Sequence, residues 1–326
     1  MKLDPLPILS GLHDYQKQAE GLRDDGQFSV ARWYGFESWQ ALADYVEAVT
    51  RADSPVSEFE SAVEAVISGD LAALESSLRK NSDLVRARSI RRHRAALLHY
   101  VAANGVEDYR QKSPKNAARV AEILLRAGAE VDALADMYGG HATTMNMLVS
   151  STPPAEAGVQ VALVETLLDF GAAIEGSEAP LMTALKFGHR TAAEALVRRG
   201  AKVDNIAAAA GLGRVADAKR MLETSDAQSR HLALALAAQH GHVEVVRLLL
   251  DAGEDPNRYN PKGSHTHSTP LHQAAVAGHD AVVRLLVERG AKLDIQDTIY
   301  HGTPLGWAKH AGRVETEQYL RTHSEP

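Results

Sequence analysis

Apolar residues in the stretch 269–290 fall in two bursts: Leu271, Ala274 and Ala275, then Val282, Val283, Leu285 and Leu286. Each burst keeps the three-to-four spacing of a helix with one buried face. Thr269 stands where an N-cap is needed, and Pro270 where a missing N–H costs nothing. Gly278 closes the first helix, Asp280 opens the second, and Gly290 supplies the left-handed stop that ends it. The pattern predicts a pair of short helices.

The same unit returns along the chain. "TPLGWAKHAGRVETEQYL" (303–320), "ALALAAQHGHVEVVRLLLDAGED" (233–255) and "PLMTALKFGHRTAAEALVRRGAKVD" (180–204) repeat it closely. Looser copies lie at 207–222, 143–174, 97–132 and 64–80, so eight units can be counted. The "TPLH" opening, the "A-G-H" turn and the "RGAKLD" close resemble the ankyrin repeat. That resemblance covers about residues 58–322. It implies an all-α ankyrin-repeat solenoid of about eight helix pairs, an L-shaped stack whose fingers and first helices line a concave face.

Ahead of the array, residues 13–50 read as two or three helices with Trp33, Phe36, Trp39 and Leu42 at mostly helical spacing. The segment resembles the "AR-x-x-GF-x-SW-x-x-L" module found before some bacterial ankyrin arrays. Its expected role is to cover the exposed apolar face of the terminal repeat. The organisation expected is thus a helical cap at 1–50, a linker at 51–57, the array at 58–322 and a tail at 323–326.

Spacing adds an expectation about shape. The turn glycines at 188, 213, 241, 278 and 312 are separated by 25, 28, 37 and 34 residues. The short intervals leave too little chain for a finger, so the middle of the array should be nearly finger-less. "GVEDYRQKSPKN" (105–116) and "STPPAEAGVQ" (151–160) lengthen other turns. A stripped middle between elaborated ends would leave a pocket-like groove.

Composition narrows the function classes. Of 326 residues, 45% are hydrophobic but only 5% aromatic, which suits small-residue helix packing and argues against disorder. A net charge of −7 argues against a general nucleic-acid binder. The absence of cysteine excludes disulfides, iron–sulfur clusters and cysteine zinc sites. The N-terminal "MKLDPLPILSGL" is interrupted where a signal peptide needs an apolar core, and no membrane span is evident. A cytoplasmic protein is expected.

The fifteen histidines separate by register. His272 and His99 hold the fourth place of the opening motif, where the resemblance implies a buried imidazole bonded to the opening threonine or to backbone. His189, His242 and His279 follow the turn glycine and read as turn residues. His265 and His267, two apart in a finger, have no repeat-level reason, and neither have His301, His310 and His240. If His265, His267 and His301 converged, they could hold zinc, iron or nickel, with Asp297 the nearest carboxylate for iron. Exposed finger residues are the alternative, and no H-E-x-x-H accompanies the pair.

The inner-helix positions before each turn glycine include Asn104, Ser151, Lys186, Gln239, His240 and His310, with Trp307 in the last unit. Where the resemblance holds, such positions and finger tips contact partners. "RARSIRRHR", with His93 and Arg94, precedes the second unit; Tyr109, Arg110 and Lys112 follow in the long turn. The cluster reads either as a solvated finger or as an anion clamp for phosphate or carboxylate. Facing it, "DMYGGHATT" offers Tyr138, a glycine pair and His141; Tyr300 holds the matching place in "IYHGT". No P-loop, G-x-S-x-G or cysteine nucleophile is present. The expected function is a non-catalytic scaffold for a protein or peptide. The alternative is a groove, catalytic or not, for a small molecule or metal.

Overall fold

The computed structural model describes residues 3–7, 10–22, 25–139, 142–175 and 179–324. It is all-α: among those residues the one β-type pairing is an isolated bridge between Ala135 and Ala142. The chain forms two compact units, residues 1–173 and 174–326.

The first unit begins with three helices, Leu12–Glu20, Gly26–Trp33 and Trp39–Thr50. Their core is Tyr15, Val30, Tyr34, Leu42, Val46 and Val49, joined by Tyr109 from the long turn of the second repeat. Tyr109 stacks on Trp33 at 5.7 Å between centroids. Three helix pairs follow: Pro55–Ser68 with Leu71–Lys80, Leu97–Ala102 with Ala117–Arg126, and Thr144–Val149 with Gln160–Asp169. Leu97–Ala102 is a 3₁₀ helix ended by Ala103 at φ +48°. Helix Pro55–Ser68 takes in residues 55–57 of the stretch read as linker, because Ser54 caps it by accepting from the Ser57 N–H at 3.0 Å.

The second unit holds five pairs: Pro180–Lys186 with Arg190–Arg198, Ile206–Gly211 with Val215–Leu222, Ala227–Gln239 with Val243–Asp251, Pro270–Ala277 with Asp280–Glu288, and Pro304–His310 with Val314–Ser324. Alanines 209, 210, 233, 237, 274, 275 and 308 let the first helices approach closely. Val245, Leu249, Val282 and Leu286 of the second helices are fully buried beneath them. Each such side chain contributes roughly 1.5–3 kcal/mol of transfer free energy. Asn205, Asp226 and Thr303 cap their helices by accepting a backbone N–H three residues on.

The fingers of this unit are uneven. The connection shrinks to 223–226 between the second and third pairs and lengthens to 252–269 after the third. The long finger does not stand apart and leave the middle open. Its His265 donates Nε2–H to the Lys186 carbonyl at 3.1 Å, bypassing the short pair between. Among the described residues no helix is long and apolar enough to cross a membrane.

Candidate functional site

The repeat histidines are committed to the fold. Nδ1 of His99 accepts from the Ala96 N–H at 3.1 Å, which leaves the proton on Nε2 to donate to the Ala133 carbonyl at 2.9 Å. His272 repeats the arrangement, with Nδ1 facing the Thr269 N–H and hydroxyl and Nε2 bonding the Gly302 carbonyl at 3.1 Å. Both rings are fully buried. Burial pushes His99 down to about 4, and pushes His272 below its ordinary value. The turn histidines do more than turn: His242 donates to the Gly211 carbonyl and His279 to the Gln239 carbonyl, each in the preceding repeat.

Two groove candidates are likewise internal. His240 is buried, with Nε2 on the Leu185 carbonyl at 2.8 Å, and burial pushes it down to about 4. Gln239 donates to the Lys186 carbonyl at 3.2 Å. Both reach past helix Ile206–Gly211, whose small side chains allow it. Lys186 itself is half-buried, and its carbonyl serves both Gln239 and His265.

What remains available in the second unit is a ring cluster at the last two fingers. His267 lies 6.1 Å from His265, 5.6 Å from Trp307 and 6.4 Å from Tyr300, centroid to centroid. Tyr300 and Ile299 form the exposed tip, at 76% and 58% accessibility. His301, at φ +55°, and His310 are exposed. Asp297 shapes this finger. Its Oδ1 accepts from Ile299 and Tyr300 N–H, and its Oδ2 from the Gly302 N–H and Trp307 Nε1–H, at 2.6–3.0 Å. Burial works to raise its pKa, yet the donors from Tyr300, Trp307, Ile299 and Gly302 hold it well below the usual carboxylate range.

The candidate metal set of His265, His267 and His301 is not assembled. Among the described residues no three histidine or carboxylate side chains stand close enough to hold an ion. His265 is turned toward a backbone carbonyl, and both oxygens of Asp297 are occupied by the loop.

In the first unit the candidates divide similarly. Tyr138 is 75% exposed, and its hydroxyl donates to Asn104 Oδ1 at 2.6 Å. Asn104 in turn donates to Ser150 Oγ and the Met147 carbonyl. Ser151 is buried, with its hydroxyl on the Ala103 carbonyl. Arg94 is exposed at φ +50°. His141 and Gly140 lie outside the described residues.

The anion clamp read from the arginine cluster is overturned at its centre, as is the solvated finger. Arg110 is fully buried, its NH1 2.6 Å from Glu60 Oε2 and 3.7 Å from Glu107 Oε2. Arg91 is buried with Nε 2.7 Å from Glu107 Oε1, which also accepts from His93 Nε2 at 3.1 Å. Its guanidinium lies 4.4 Å from the Tyr45 ring centroid and 4.6 Å from that of Phe36. Burial would raise Glu107, but Arg91, His93 and Arg110 hold it well below its ordinary value. These arginines answer buried glutamates, because a charge removed from water needs an opposite partner. Glu60 was the signal: it falls in line with Val56, Val63 and Ile67 on the apolar stripe of its helix.

Comparison with known proteins places this architecture. A family model described as "Ankyrin repeats (3 copies)" matches residues 155–260, 205–297 and 234–325, together just over half the chain. The mouse "Ankyrin repeat and SAM domain-containing protein 6" is 36% identical over 29% of this chain and 10% of its own length. The Arabidopsis thaliana "E3 ubiquitin-protein ligase KEG" is 44% identical over 22% of this chain and 4% of its own. The Caenorhabditis elegans "Ankyrin repeat and KH domain-containing protein mask-1" is 29% identical over 69% of this chain and 7% of its own. The chain thus spans a tenth or less of these relatives. The human ASB11 ankyrin repeat domain, a solved structure, aligns over 81% of this chain and 98% of its own at 24% identity and a TM-score of 0.42.

Proposed function

Because the chain belongs to the ankyrin repeat family, whose repeats generally serve as protein-interaction modules, we propose that it is a non-catalytic recognition module. Its partner is a protein or peptide, held by the ring cluster of the second unit. The observation that carries this reading is the exposed Ile299–Tyr300 tip, backed by His267 and Trp307. Tyrosine and tryptophan supply large contact area at low conformational cost and dominate interface energetics. His267 has no hydrogen-bond partner for its ring among the described residues, so its nitrogens are available to a ligand.

The test is site-specific cross-linking in cells. A photo-reactive phenylalanine replacing Tyr300 should give a defined protein adduct, lost when His267 and Trp307 are both changed to alanine. The same group replacing Arg247, on the second helix of its repeat, should give none. Equal adducts from both positions, or none from Tyr300, would overturn the reading.

A further inference from the structure

The long finger of the second unit is latched to a repeat that is not its neighbour. His265 donates Nε2–H to the Lys186 carbonyl at 3.1 Å, across the short pair Ile206–Gly211 and Val215–Leu222. The residue stands at φ +39°, a left-handed backbone that few residues other than glycine adopt. Such a conformation persists where surrounding bonds impose it, and it gathers at switch segments. Here those bonds are few. The His265 carbonyl accepts from the Ser268 N–H and hydroxyl, each at 3.0 Å, and the ring holds Lys186.

The base of this loop is firm and its far side is not. Asn260 N–H donates to the Ser268 carbonyl at 2.8 Å, and Gln273 Nε2 donates to the Ser268 hydroxyl at 2.8 Å. Among the described residues, the loop 261–267 meets other repeats through two hydrogen bonds. One is the latch; in the other the His267 carbonyl accepts from the Thr298 N–H at 2.9 Å. The His267 ring lies 6.1 Å from that of His265, and faces Trp307 and Tyr300 at 5.6 and 6.4 Å. The latch thus sits two residues from the ring cluster.

The surroundings of His265 offer an added proton no counter-charge. From helix Pro180–Lys186 comes the Lys186 ammonium, which lies 3.3 Å from where a Cβ on Gly263 would stand. Helix Ala227–Gln239 contributes the uncharged amide of Gln239, on the same Lys186 carbonyl. The loop itself adds His267 and the exposed Lys262. Asp297, the carboxylate of the ring cluster, is taken up by four donors of its own finger. Burial pushes His265 below its ordinary value and His267 adds to this, although the Lys186 carbonyl works the other way.

We propose that residues 260–268 are a proton-released strap that regulates the ring cluster, an inference that rests on the recognition reading. With His265 neutral, the strap is latched to the Lys186 carbonyl and the His267 ring stands beside Trp307 and Tyr300. When His265 takes up a proton the strap lets go and the His267 ring leaves the cluster. The released imidazole titrates near 6.5, so the latch is fully present above that pH. It is lost as pH falls from about 6.5 toward the lower value of the latched ring.

The test reads hydrogen exchange in the full chain at pH 7.5 and 5.5, corrected for intrinsic rates. Exchange of the Ser264 and Ser268 amides should rise about three- to tenfold at pH 5.5, tenfold being the ceiling for one imidazole titrating near 6.5. His265→Ala should exchange fast at both pH values. His265→Gln keeps a side-chain N–H donor but takes up no proton, so it should stay latched at both. It should abolish the step in the strap while leaving any acid weakening of helix Ala227–Gln239 in place. No step in the unaltered chain, a step that survives in His265→Gln, or an unaffected His265→Ala would each overturn the strap.

The link to recognition has its own readout. With the photo-reactive group at position 300, adduct yield in lysate buffered at pH 5.5 should fall several-fold from that at pH 7.5, and should not fall in His265→Gln. A yield that holds while the strap opens would overturn the regulation. No adduct at either pH, with exchange behaving as expected, would overturn the recognition reading and leave the strap standing.

Discussion

The imidazole of His279 occupies the space that a side chain on Gly241 would need. A Cβ built on Gly241 would lie 2.7 Å from His279 Nδ1, while the ring's Nε2 donates to the Gln239 carbonyl at 2.9 Å. The device recurs. His242 sits on Gly213 and bonds the Gly211 carbonyl, and Arg313 sits on Gly278 and bonds the Val276 carbonyl. These three turn glycines are thus seats for a donor from the next repeat, which also satisfies a carbonyl left over at a helix end.

Gly241→Ala should therefore cost more than a left-handed backbone alone. Gly290 has a similar φ, +85° against +78°, but open space around its Cβ direction. Gly290→Ala is expected to lose about 1–2 kcal/mol, from the left-handed conformation. Gly241→Ala should lose roughly 1–3 kcal/mol more through overpacking against the ring. Adding His279→Ala to Gly241→Ala should recover part of that excess. Urea unfolding of the three variants beside the unaltered chain measures it; equal losses at the two glycines would disprove the seat.

Stability should fall as the medium becomes mildly acidic. Burial holds His99 and His240 at about 4, whereas an unfolded histidine titrates near 6.5. Above pH 6.5 both states are neutral and nothing is lost. Between about 6.5 and 4 the unfolded chain takes up protons that the folded one refuses, so stability declines across that window. His99 belongs to the first unit and His240 to the second, so both should weaken. Urea midpoints at pH 8, 6 and 5, followed by hydrogen exchange in each unit, test this. Midpoints unchanged from pH 8 to 5 would contradict it.

Much of this architecture was legible because the repeat is written in local chemistry. Thr303 before Pro304, Gly278 after Ala277 and the paired Val282 and Leu286 each declare their place without reference to distant residues. Partnerships across the chain were not legible. "RARSIRRHR" looks uniform, yet Arg91 is buried and Arg92 is exposed, because only Arg91 meets Glu107 and the faces of Phe36 and Tyr45. Likewise His240 reads as a groove residue until the shortness of the 206–222 repeat brings the Leu185 carbonyl within reach. Conversely, Glu60 on an apolar stripe was readable evidence for a buried cation.

That buried cluster should respond asymmetrically to substitution. Glu60→Gln leaves Arg110 with a weakened counter-charge where no water reaches it, and is expected to destabilise the first unit by about 3 kcal/mol or more. Replacing both, Glu60→Leu with Arg110→Met, removes the charge and its partner together and should cost much less than the sum of the single changes. Added salt should matter little, since the pair is shielded from ions. Thermal denaturation of the single and double variants decides it. A double variant as unstable as the sum would mean the pair is not coupled.

Asp297 gives a way to move the Tyr300 tip without touching it. Its two oxygens gather four donors, three of them backbone N–H groups of the finger that carries Ile299, Tyr300 and Gly302. Asp297→Asn keeps one acceptor oxygen and turns an NH₂ toward groups that also donate. The finger should open locally. Amide exchange across 298–303 is expected to rise at least tenfold, the emission of Trp307 to shift as its Nε1–H loses its partner, and stability to fall by about 1–3 kcal/mol. Because the carboxylate is held well below its ordinary range, the native finger should stay closed at pH values where an exposed aspartate is already protonated. Acidification should release it only below that range. Partner capture through the photo-reactive group at position 300 should weaken in Asp297→Asn although His267 and Trp307 are both retained. Unchanged exchange in 298–303 would show that the finger is held by something other than this carboxylate.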